Sequence, residues 1–196
     1  MADLKPADAL ERLKAGNARF VAGTPRCEPL IARVAGLANG QSPFGVVLGC
    51  SDSRVPVETV FDQEPGNLFV VRVAGNFLNS DGLGSIEFAV EALESRLIVV
   101  LGHEGCGAVG AALKYVRDGV EQPGHIQKLV NALVPAVLAT RGGAGDWHAS
   151  AVSENVELTV KAMLARSRII AGAVERGDVQ VVGGIYSIRT GNVTFA

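Results

Sequence analysis

Leu97-Ile98-Val99-Val100-Leu101-Gly102-His103-Glu104-Gly105-Cys106-Gly107 carries both the fold class and the candidate chemistry of this chain. Five consecutive apolar residues with no alternation describe a strand buried on both faces, as in a parallel sheet covered on each side. The strand over 97 to 101 is expected to end just before His103 and to feed a helix at about 107 to 118. A second run of the same kind, Gly45-Val46-Val47-Leu48-Gly49, ends at Cys50-Ser51-Asp52-Ser53-Arg54. Leu68 to Val73 follows a Glu64-Pro65-Gly66-Asn67 turn and reads as another strand, and Val179 to Tyr186 as a fourth.

Between these runs the apolar spacing turns helical. Helices are predicted over 6 to 22, 30 to 39, 83 to 94, 123 to 139, 152 to 167 and 168 to 176, with a glycine-rich loop at 140 to 146. Strands alternating with helices give an α/β fold: a mainly parallel central sheet, about four parallel strands plus a C-terminal edge strand, flanked by helices. The 196 residues, 48% of them hydrophobic and 19% charged, suit one domain over 1–196 with an N-terminal helical arm at about 4–36.

A net charge of −2 and no basic cluster leave no footprint for nucleic acid or an anionic membrane surface. No stretch approaches the apolar length of a membrane span, and the N-terminus lacks a signal-type apolar core, so a soluble, cytoplasmic protein is expected. The three cysteines fit a reducing compartment better than a disulfide framework. Cys27, between two prolines, has no partner at ligand spacing and is given no role.

Cys50 and the His103/Cys106 pair fall beyond the carboxyl ends of two buried strands, where functional groups gather in parallel sheets. Two thiols and an imidazole are a zinc ligand set. Three ligands rather than four describe an open, catalytic site with one zinc per chain. In an extended segment Cys50, Asp52 and Arg54 would share one side, so Asp52 has two cations in reach: the Arg54 guanidinium, or the metal as a fourth ligand.

Rival readings exist for these residues. Gly105 to Gly110 matches the G-x-G-x-x-G of dinucleotide sites, but the region that should hold a second strand and an acidic residue is helical, with Val130 at the decisive place. A structural zinc would need a fourth permanent ligand, and thiol redox chemistry lacks a Cys-x-x-Cys. His125 and His148 read as surface residues, and Trp147 as packing at a helix start under the glycine-rich loop.

CSDSR at 50–54, FDQEPGNLFVVRVAGN at 61–76 and GHEGCGAV at 102–109, in that order, resemble the β-class carbonic anhydrases. The likeness runs from Leu10-Glu11-Arg12-Leu13 and Gly16-Asn17-Ala18-Arg19-Phe20 to Gly184-Ile185-Tyr186. It implies zinc on Cys50, His103 and Cys106, an Asp52–Arg54 dyad that orients a metal-held hydroxide and gates the metal, and conversion of carbon dioxide to bicarbonate. It further implies a homodimer or homotetramer in which Gln41 reaches a neighbour's substrate, a carbon dioxide wall of Phe69, Ala74 and Phe88, and a Gly107 N–H facing the substrate oxygen. Ala74 stands where Val is common. A second, inhibitory bicarbonate site of one family branch would involve Arg72 and Tyr186, but its tryptophan position is Val47, which implies the branch without that regulation.

Overall fold

The structure is a computed structural model and describes residues 4–26 and 34–196. Its centre is one sheet of β1 (Gly45–Gly49), β2 (Leu68–Arg72), β3 (Leu97–His103), β4 (Gln180–Tyr186) and β5 (Val193–Phe195). They lie in the order β2-β1-β3-β4-β5, the first four parallel and β5 an antiparallel edge. The helices are α1 (Pro6–Val21), α2 (Val57–Val60), α3 (Ser80–Glu91), α4 (Gly107–Asp118), α5 (Ile126–Ala139), α6 (Trp147–Arg166) and α7 (Arg168–Glu175).

The side chains of the central strands alternate between two apolar layers. Val47, Val99, Leu101 and Val182 pack with Ala9 and Leu13 of α1 and with Val57, Val60 and Phe61. Val46, Leu48, Ile98 and Val100 face the other way, onto Ile86 of α3, Val156 and Met163 of α6 and Ile170 of α7. Being covered on both faces is why these strands read as unbroken apolar runs. A third cluster joins Cys50 and Cys106 to α4, α5 and α6 through Val109, Val130, Leu133 and Val152. The chain leaves β1 toward β2 on one side and β3 toward β4 on the other, which opens a crevice at the carboxyl ends of β1 and β3.

The α/β architecture, the four parallel strands and the edge strand match the expectation. Several boundaries do not. α3 begins at Ser80 rather than near 83, because the Asn79 side chain accepts the Gly82 N–H at 2.7 Å and caps it; Glu94, at φ 55°, lies beyond its end. α6 begins at Trp147 rather than 152, capped by Asp146, whose Oδ1 accepts from His148 N at 2.8 Å and Ala149 N at 3.2 Å. α5 starts at Ile126, later than the expected 123. β3 does not stop before His103: it runs through it, with His103 paired to Tyr186. The short α2 was not foreseen. Of the helix expected over 30 to 39, residues 34 to 36 are helical and its beginning lies outside the described residues, as does Cys27.

α1 buries Ala9 and Leu13 completely within its own chain. Its backbone comes so close to the end of α2 that a Cβ on Gly16 would sit 1.8 Å from the Phe61 carbonyl oxygen. The next residue, Asn17, donates to Val60 O at 3.0 Å and Gly191 O at 2.8 Å and accepts from Val193 N at 2.9 Å, tying α1 to β5. Gly16→Ala must push backbone from backbone, so it is expected to destabilise by about 1–3 kcal/mol, the usual range for overpacking. A denaturant midpoint unchanged from wild type would contradict this docking.

Candidate metal centre

Cys50 follows the last residue of β1, and its carbonyl is held by Arg72, whose Nε donates at 2.9 Å while Nη2 donates to the Asp52 carbonyl at 2.7 Å. The chain then turns rather than extends: Val55 N–H donates to Asp52 O at 3.0 Å and Arg54 N–H to Asp52 Oδ1 at 2.9 Å. The expected extended alternation over 50 to 54 is therefore wrong, because an Asp side chain able to accept a backbone N–H two residues on favours a turn. The pairing inferred from it survives. Arg54 grips Asp52 with Nε on Oδ1 at 2.9 Å and Nη2 on Oδ2 at 2.7 Å. These bonds hold the Asp52 carboxyl well below the usual carboxylate range.

His103 ends β3, with no solvent exposure. Its Nδ1 lies 2.9 Å from Glu104 O, an atom that only accepts, so Nδ1 carries the proton and Nε2 presents a lone pair. That Nε2 is buried without a hydrogen-bond partner. Gly105, at φ 64°, turns the chain, and Cys106 becomes the N-cap of α4. The donor atoms of Cys50, His103 and Cys106 all lie within 4.8 Å of one another. An orphaned imidazole nitrogen facing two thiols fits a zinc ion, whose tetrahedral sites take N and S donors.

The thiols are electrostatically linked. Cys50 is pushed well below the ordinary thiol range by a hydrogen bond from Cys106, against the opposing cost of burial, with the Gly75 N–H, 3.3 Å from Cys50 Sγ, adding to the effect. Cys106 is pushed up by facing Cys50 and by burial. A divalent ion is the natural counter-charge for both thiolates. Asp52 stands beside this group, its Oδ2 4.0 Å from His103 Nε2, so the same carboxylate borders the ligands while resting in the Arg54 fork.

The substrate residues inferred by resemblance divide into two sets. Ala74 precedes Gly75, the donor to Cys50, and Gly107 opens α4 beside Cys106 with nothing within 4 Å of where a Cβ would be. Gln41 instead lies ahead of the opposite end of β1, separated from Cys50 by the strand's length, about 17 Å at 3.3 Å per residue. Phe69 pairs with Val46 in that same half of the sheet, and its ring centroid is 6.3 Å from that of Phe88, which is 54% exposed on α3. One chain thus brings two of the five, Ala74 and Gly107, to the centre. A cleft of about 270 Å³ along α6, β4 and β5, lined by Val160, Val181 and Thr194 among others, includes none of these residues.

Arg72 and Tyr186 end β2 and β4, with Val47 buried in β1. Residues after Gly110 are helical, as the rejection of a dinucleotide site requires. His125 is exposed, and Trp147 donates from Nε1 to Val137 O at 3.1 Å, packing the start of α6 as expected. His148 corrects the sequence reading: it is half-buried, with Nε2 3.0 Å from Cys106 O. Nothing in its polar neighbourhood in the sequence signalled that. Arg72 likewise has a role that the sequence did not signal, its bracing of the Cys50 turn being visible only once β2 is placed beside β1.

A family model described as carbonic anhydrase matches residues 45–193. Carbonic anhydrase 2 of Mycobacterium tuberculosis is 42% identical over 192 residues, covering 97% of this chain and 93% of that protein. Among solved structures, the β-carbonic anhydrase CcaA superposes with a TM-score of 0.74 at 30% identity, covering 95% of this chain and 94% of that one. One from Sordaria macrospora, described as tetrameric, gives a TM-score of 0.72 at 27% identity, covering 83% of this chain and 84% of its own.

Proposed function

Since the chain belongs to the β-class carbonic anhydrase family, we propose that Cys50, His103 and Cys106 bind one zinc ion per chain and that this centre hydrates carbon dioxide reversibly to bicarbonate and a proton. The observation that carries the metal is the buried, unpartnered Nε2 of His103 beside two thiols. Zinc bound there supplies Lewis acidity, which makes water a nucleophile near physiological pH.

The chain's own residues orient the reaction. Asp52, fixed by three hydrogen bonds from Arg54, accepts a hydrogen bond from the attacking water and aims its lone pair at carbon dioxide. The same carboxylate, once released by Arg54 at low pH, would be a further candidate to hold the metal, since its Oδ2 lies 4.0 Å from His103 Nε2. Gly107 N–H, at the positive end of α4, faces the oxygen on which charge develops. Ala74 forms the near part of an apolar wall. Gln41, Phe69 and Phe88 complete the pocket from a second copy, which is how residues at the far end of the sheet serve the centre.

The decisive experiment is a side-by-side assay of carbon dioxide, carbonyl sulfide and carbon disulfide on protein of known zinc content. Carbon dioxide hydration scaling with one zinc per chain is the expected result; fully zinc-loaded protein inert toward carbon dioxide overturns the reading.

The shared pocket predicts a homodimer or homotetramer by light scattering. It also predicts complementation. In a mixed dimer of Gln41→Ala and Cys106→Ser chains, one of the two pockets has both intact ligands and an intact Gln41. Random mixing of the two variants, each weakly active or inactive alone, should restore roughly a quarter of wild-type activity. No restoration would place Gln41 outside the neighbour's pocket. A cytoplasmic location fits a centre that needs reduced thiols; Cys50 and Cys106 are free, and among the described residues no helix is long and apolar enough to cross a membrane.

A further inference from the structure

We propose that one face of α6 sets the geometry of all three ligand-bearing segments, with His148 and Asn155 as positioning residues of the centre; this rests on the zinc reading above. His148, Val152, Asn155 and Val156 are spaced i, i+4, i+7 and i+8, so they share a face of the helix. Between them they touch three parts of the site.

His148 Nε2 is 3.0 Å from Cys106 O. A carbonyl only accepts, so Nε2 is the protonated nitrogen and donates. The Cys106 carbonyl also accepts Gly110 N–H at 3.0 Å, which leaves the peptide that carries this ligand fixed from two directions. Val152 and Val156 press on the residue before His103: a Cβ on Gly102 would lie 2.7 Å from Val156 Cγ2 and 3.3 Å from Val152 Cγ1. Any larger residue there must displace the Val156 or Ile185 side chain.

Asn155 reaches the third ligand through one residue. Its Nδ2 donates to Gly75 O at 2.9 Å, and the N–H of the same Gly75 donates to Cys50 Sγ at 3.3 Å. Gly75 holds φ 83°, a conformation few other residues take, and Leu133 Cδ1 would lie 2.8 Å from a Cβ there. Asn155 is 4% exposed in a valine-lined helix face. Burying an amide costs free energy unless it is used, and this one is used to orient the loop that hydrogen-bonds a ligand sulfur. The register of α6 is itself pinned by the Asp146 cap and by Trp147 Nε1 on Val137 O at 3.1 Å. His148 therefore enters from a fixed first turn.

Partners that hold metal ligands in orientation are worth about 10–100-fold in metal affinity. The experiment measures zinc affinity by competition with a chromophoric chelator and records the thiolate-to-cobalt and d–d bands of the cobalt-substituted protein. It compares wild type with His148→Ala, His148→Gln, Asn155→Leu and, as a control on the exposed side of α6, Lys161→Ala. His148→Ala and Asn155→Leu should each lose about 10–100-fold in affinity and shift the cobalt bands. His148→Gln, whose amide N–H can reach the same carbonyl, should recover most of the loss, and Lys161→Ala should match wild type. A wild type that binds no zinc defeats the proposed function. A wild type that binds zinc, with His148→Ala matching it in affinity and spectrum, defeats this inference even where Asn155→Leu fails to fold, because His148 is half-exposed and its removal leaves the core intact.

Discussion

Cys106→Ser is expected to abolish zinc binding and return carbon dioxide hydration to the uncatalysed background, a loss on the order of 10⁶-fold for an ordinary enzyme. The reason is local. Serine is nearly isosteric with cysteine, so the N-cap of α4 and its packing persist, but a hydroxyl does not ionise where the Cys106 thiolate is needed as a zinc ligand. Cys50→Ser should behave alike and lose in addition the sulfur that accepts the Gly75 N–H. His103→Ala should cost more stability, since it also empties a fully buried position at the end of β3. Elemental analysis separates ligand loss from misfolding, and thermal unfolding gives a second check. Zinc that binds only the folded state stabilises it, by about 4 kcal/mol at a free concentration a thousandfold above the dissociation constant. Cys106→Ser should therefore unfold below the loaded wild type and level with wild type stripped by a chelator. A Cys106→Ser protein that keeps full zinc and activity would remove Cys106 from the centre.

The central strands were legible because their residues obey one rule, burial on both faces, that leaves an unbroken apolar run in the sequence. Helix starts were harder. Asn79 and Asp146 are cap residues, and reading them as such would have moved α3 and α6 to their true beginnings. Gly102 looked like the end of β3 and is instead a strand residue kept small by Val156. At the site, the three metal-capable side chains that the fold brings together could be read from residue type and strand position. What holds them could not: His148 lies 42 residues from Cys106, and Asn155 lies 80 from Gly75, separations that only the packing of α6 over the sheet closes. Gln41, Phe69 and Phe88 stay distant from the centre in one chain for a different reason. If a second copy completes the pocket, as proposed, that completion has no signature in the spacing of a single sequence.

Activity should climb from mildly acidic to alkaline pH, and Arg54→Ala should lower the whole profile. In the proposed zinc centre two thiolates would cancel the formal charge of the ion, so water there would be acidified less than at three neutral histidines, where its pKa is about 7. The lost activity below neutrality does not come from protonating Asp52. Arg54 depresses that carboxyl, and the sign is clear: a depressed carboxylate stays ionised above its unfolded value of about 3.9, and its contribution to stability is lost only as pH falls toward the still lower folded value. From pH 5 to 9, then, Asp52 is a constant anion whose position, not charge, is at issue. In Arg54→Ala it keeps only the backbone N–H of residue 54, at 2.9 Å, and loses both guanidinium bonds. Its oxygen starts 4.0 Å from His103 Nε2, already beside the ligands, and without the fork it is free to compete with water for the open place on zinc. Misplacing an orienting group by about an ångström can cost on the order of a hundredfold, which sets the expected fall in kcat/KM. Because a carboxylate competes best where water is not yet ionised, the deficit should deepen toward acid and shrink toward alkaline pH. Zinc content should remain one per chain throughout, since the cysteines and histidine are untouched. The measurement is kcat/KM for carbon dioxide hydration from pH 6 to 9 in both proteins. A flat wild-type profile would remove the ionising nucleophile from the mechanism, and an Arg54→Ala profile that falls evenly at every pH would leave Arg54 an orienting role and take away the gate.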